Sequence, residues 1–135
     1  MAKKKNAPQT WLERNLLFGG FLALATSQDE FDQALAEIKV TDKIEYVPNG
    51  WPACTHTFDN VDGSIACVVG LDLERCAQED PIDVAALLVH EAVHVWQQNE
   101  IKAGKLGCFG DEGEAYAIQN ISTRLMLEYA RRISQ

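Results

Sequence analysis

An α+β fold, a small antiparallel sheet packed against two long helices, is what this 135-residue sequence predicts. Three observations carry the prediction. Residues 53–73 hold two runs of strand character separated by a turn. From Asp80 onward two long segments follow the helical period, each with its own start signal. The length suits a single hydrophobic core, so residues 1–135 read as one domain.

Residues 1–9, polar and basic, are expected to be disordered. A first helix is expected over Thr10–Thr26, loosened by Gly19-Gly20. Within it "LLFGGFLALA" (Leu16–Ala25) follows Lys3, Lys4 and Lys5, and Ala23-Leu24-Ala25 resembles a signal-cleavage site. Glu13 and Arg14 directly before the run favour a core helix instead, so a cytoplasmic location is expected and secretion is the lesser reading. The run is too short to span a bilayer.

Ser27 opens a capping box with Glu30. The helix it starts shows Phe31, Ala34, Leu35 and Ile38 on one apolar face. "IEYV" (Ile44–Val47) reads as a short strand ended by the turn "PNGWP". "ACTHTF" alternates, with Cys54, His56 and Phe58 on one face. "DNVDG" is a turn, and Ser64–Leu73 is a strand apolar on both faces as far as Gly70, hence covered on both. Asp80 caps the next helix with Pro81 at its first position. That helix is expected to reach Lys102 and stop at Gly104. After a loop containing Gly107, a last helix runs from Asp111 to Arg132.

The net charge of −8 argues against nucleic acid or an anionic membrane as partner. An acidic inhibitor or DNA mimic would want its acids arrayed in a block, and here they are scattered. Cys54, Cys67, Cys76 and Cys108 form no CxxC pair and read as reduced thiols.

The chemistry concentrates in "HEAVH", residues 90–94. Two histidines four residues apart on a helix project from one face, so both imidazoles can reach one metal ion. Glu91 stands beside the first of them, where its carboxylate can activate a metal-bound water without being a ligand. A hydrolytic zinc site needs a third protein ligand and an open position. No histidine follows His94, and Glu100 points elsewhere, which leaves Cys108, Asp111, Glu112 and Glu114. Periodicity favours Glu114, because Ala117, Ile118, Ile121 and Leu125 continue its face. The alternative is that Asp111 and Glu114 form a capping box.

HExxH followed 20 positions after its second histidine by "EAYA" resembles the gluzincins, the thermolysin-like zinc metallopeptidases. "LLVHEAVHVWQ" with "DEGEAYAIQ" is similar to small metallopeptidases encoded by phages and prophages, which would place the protein in a host cytoplasm. The resemblance spans about residues 64–121 and implies a minimal zincin-like domain. It implies His90, His94 and Glu114 as zinc ligands and Glu91 as base, and the strand over residues 64–72 as border of the cleft, pairing with an extended substrate. The sequence departs from the family twice. Ile118 stands where an aspartate usually braces a ligand histidine, and there is no separate domain to hold the oxyanion. Asp111 or Glu112 could brace an imidazole instead. His56 could hold the oxyanion or be an ordinary strand histidine, and Tyr116 should face away.

The expected function is zinc-dependent hydrolysis of a peptide bond, with a peptide or protein as partner. The alternatives are a zinc-stabilised module that binds protein without cutting it, or the acidic mimic.

Overall fold

The run Ile65–Leu71 (β4) is the spine of the molecule, and all seven of its residues are buried. The structure, a computed structural model, describes residues 10–16, 20–60, 63–102 and 110–135. Residues 1–9, Cys108 and the loop around Gly107 lie outside the described set, as does the side chain of Asp111. Around β4 are β1 (Glu13–Leu16), β2 (Gly20–Ala25), α1 (Gln28–Glu37), β3 (Ala53–Asp59), α2 (Leu73–Ala77), α3 (Pro81–Lys102) and α4 (Gly110–Ile133). The fold is α+β, with one small sheet of order β1-β2-β4-β3.

Period-two alternation along the strands sends side chains to two separate cores. Leu22, Leu24, Ala53, Ile65, Cys67, Val69 and Leu71 meet Val84, Leu88, Ala92 and Val95 of α3 and Ile121 and Leu125 of α4. On the opposite face Ala23, Ala25, Ala66 and Val68 meet Phe31, Ala34 and Leu35 of α1. The sheet is thus covered on both sides, as the two apolar faces of β4 predicted.

The expected helix over Thr10–Thr26 is instead a pair of strands. β1 and β2 pair antiparallel, with Leu16 opposite Gly20, so β2 starts at Gly20 as a strand paired back on β1 and not as a turn of helix. β2 then runs parallel to β4 from Phe21↔Ala66 to Ala25↔Gly70. A short apolar run has the same composition in a buried strand and a buried helix; the partner strand decides between them. The sheet is consequently mixed where an antiparallel one was expected. β3 and β4 form the expected antiparallel hairpin, closed by Asn60 N–H on the Ser64 carbonyl at 2.8 Å.

"IEYV" is also not a strand. Its backbone is satisfied by side chains: the Gln28 amide donates to Ile44 O and accepts from Tyr46 N–H, at 2.8 and 3.1 Å. Tyr46 O accepts from His56 Nε2 at 2.9 Å. The segment crosses the α1 face of the sheet, against Gly70, and does not extend the ladder.

The helix starts fall where the caps placed them. Ser27 Oγ accepts from Glu30 N–H at 3.2 Å, and Asp80 Oδ1 accepts from Ile82 N–H at 2.8 Å. The Glu30 carboxylate reaches back to Thr26, accepting from its N–H and hydroxyl at 2.9 and 2.6 Å. The brief helix α2, capped by Asp72, was not anticipated. Among the described residues, no helix is long and apolar enough to cross a membrane.

Candidate metal centre and its cleft

Helix α3 carries two stripes. Val84, Leu88, Glu91, Ala92, Val95 and Asn99 are buried, whereas Asp83, His90, His94 and Gln98 are exposed along the neighbouring stripe. A cleft of about 590 Å³ opens where this second stripe faces β3, lined by His90, Glu91 and His94 on one wall and by Ala53, Thr55 and Thr57 on the other.

His90 and His94 are both exposed, and the buried carboxylate of the motif is Glu91, only 4% exposed. A carboxylate taken from water needs a hydrogen-bond donor. Thr55 Oγ1 supplies one, donating to Glu91 Oε2 at 2.5 Å across the gap between β3 and α3.

His90 and His94 are one turn apart, and their Nε2 atoms converge to 3.2 Å. Two nitrogens bound to one tetrahedral zinc at about 2.0–2.1 Å stand about 3.3–3.4 Å apart. The pair therefore fits an edge of that tetrahedron. His94 Nδ1 meets Gln97 Oε1 at 3.2 Å. An amide oxygen only accepts, so a proton on Nδ1 would satisfy this contact and leave the Nε2 lone pair toward His90.

The third expected ligand is not brought to this pair. The Glu114 carboxylate accepts from the Trp96 indole N–H at 3.0 Å. Helix α4 does turn Ala117, Ile121 and Leu125 into the core, with Ile118 packed beside them, while Glu114 itself is exposed at the end of that stripe. Among the described residues no three His, Cys, Asp or Glu side chains stand close enough together to hold a metal. Glu112 and Tyr116 are exposed.

Two expectations about the walls are corrected. His56 lies on the α1 face, its ring 4.7 Å from that of Phe31, with the whole sheet between it and the histidines. The alternation that places it with Phe58 on the α1-side core turns it away from α3, so it is not an oxyanion donor. β4 cannot pair with a substrate either, because β2 and β3 occupy both its edges. The strand beside the cleft is β3, which among the described strands pairs with β4 alone.

Thr55 and Gln97 are the site residues that sequence reasoning missed. Gln97 follows His94 by three positions, a spacing at which helix side chains meet, so it was open to recognition. Thr55 was not, since only the packing of β3 on α3 brings it to Glu91.

The fold and the cleft define an α+β chain whose sheet is covered on both faces, with a paired-histidine helix beside a sheet edge. No protein-family model, curated protein or solved structure matches this chain.

Proposed function

We propose that the chain is a zinc-dependent metallopeptidase on a minimal zincin-like domain, with His90 and His94 as the zinc ligands that converge and Glu114 as the third ligand once it gives up its bond to Trp96. The observation that carries this reading is the His90–His94 pair, 3.2 Å apart at Nε2, beside the buried Glu91 in an open cleft. Bound zinc would supply Lewis acidity and lower the pKa of water in contact with it. Glu91, through the oxygen Thr55 leaves free, takes a proton from the attacking water. As the water oxygen bonds the carbonyl carbon and the C–N bond breaks, Glu91 returns that proton to the departing nitrogen. Gln97 orients His94, and the outer edge of β3 offers backbone groups to an extended peptide.

A zinc-stabilised binding module is the second reading. It is favoured by the engagement of Glu114 with Trp96, which leaves two ligands converging where catalysis needs three. Metal content and peptide-library cleavage separate the two. The peptidase reading expects about one zinc per chain, lost in His90→Ala or His94→Ala and weakened in Glu114→Ala. It expects Glu91→Gln to retain zinc while cleavage falls ~10²-fold or more. Equal zinc in wild type and His94→Ala would refute the metal site. Zinc without cleavage would favour the module.

A further inference from the structure

The Glu91 carboxylate faces a problem that its own helix cannot solve. It lies in the buried stripe of α3, 4% exposed, yet as a base it must remain charged and keep one oxygen aimed into the cleft. A long side chain with free rotors does not hold such an aim unaided. The structure gives it one side-chain donor among the described residues, the Thr55 hydroxyl at 2.5 Å from Oε2.

Thr55 is well suited to the task. It sits opposite Val69 in the β3–β4 ladder, with the alternation that turns Ala53 and Thr57 toward α3. Its β-branched side chain has few rotamers, and the strand fixes its backbone. The Glu91 carbonyl lies 3.5 Å from the same hydroxyl, so the donor is seated against both ends of one residue. Being neutral, it orients the carboxylate without neutralising it.

We infer that Thr55 is a positioning residue: it fixes Oε2 so that the other oxygen meets the reacting water. The inference rests on the peptidase reading. Thr55→Val keeps the shape and removes the hydroxyl; Thr55→Ser keeps the hydroxyl. In the zinc-loaded protein, Thr55→Val should lower kcat about tenfold with KM and zinc content unchanged, and Thr55→Ser should restore most of the rate.

The second readout is urea unfolding of chelator-treated protein in a double-mutant cycle. Thr55→Val should shift the folding equilibrium about tenfold when Glu91 is present and little in the Glu91→Leu background. Full kcat in Thr55→Val, failure of Thr55→Ser to restore the rate, or equal shifts in both backgrounds would overturn the inference while the peptidase reading stands. Coupling in the cycle with no cleavage by wild type would instead defeat the peptidase reading, and the positioning role with it.

Discussion

Gly70 shows how much a single missing Cβ can decide. A Cβ built there would lie 1.8 Å from the carbonyl oxygen of Tyr46 and 2.7 Å from its carbon. The obstacle is backbone, held by the Gln28 amide and the His56 ring, so no rotamer change relieves it. Gly70→Ala should therefore destabilise by roughly 1–3 kcal/mol or more, read as a lowered urea midpoint. Zinc content should be untouched, because the crowded segment lies on the sheet face away from α3. A neighbour on β4 illustrates the chemistry of the same burial. Burial pushes the Cys67 thiol up to about 11, despite contacts from Thr57 and Asn99, so this cysteine behaves as a small apolar side chain.

At the scale of elements, the helices owe their starts to caps and their faces to period. Ser27 satisfies an otherwise orphaned N–H of α1, and Glu30 turns back to bond Thr26. Ser27→Ala should cost about 1 kcal/mol in chemical denaturation, with no change in metal content. A loss of nothing would mean that Thr26 and Glu30 hold the corner by themselves. In α3 the offset between buried and exposed stripes is what the site uses. Residue 91 falls on the core side and residues 90 and 94 on the cleft side, so one short motif supplies a sheltered base and two accessible nitrogens.

Across the whole molecule, the chain's end is tied to its first crossover. Arg132 pairs with Glu30 of α1 and, at 2.7 Å, with Glu128 of its own helix; it also donates to the Thr26 hydroxyl at 3.2 Å. Burial raises the Glu30 pKa, but hydrogen bonds from Thr26 and Arg132 and the Arg132 charge outweigh it, leaving a net lowering. For Glu128 burial is likewise outweighed, by Arg131 and Arg132. A carboxylate with a depressed folded pKa contributes stability that is complete above its unfolded value, about 4.3, and is lost as pH falls through the folded one. Wild type should thus lose stability steeply below about pH 4.3, and Arg132→Met should start less stable at pH 7 and decline less. Urea midpoints from pH 7 to 3 should converge; parallel curves would exclude the network as their cause.

The sequence by itself determined the features that depend on neighbours along the chain. Ser27 and Asp80 announced their helices because a cap acts within three residues. The four-residue spacing in "HEAVH" brought two imidazoles together because a helix turn is local. The stripe Ala117, Ile121 and Leu125 likewise found the core. Tertiary structure alone decided the rest. Phe21–Ala25 became a strand because β4 offered a parallel edge, and "IEYV" failed to become one because its backbone bonds went to Gln28 and His56. It made β3 the border of the cleft, turned His56 away, gave Glu91 its partner in Thr55 and gave Glu114 its partner in Trp96. Each of these joins residues 10 or more positions apart, or depends on which edge of the sheet lies open. Hydrophobic pattern sets which face of a segment is buried, but not what is found on the other side.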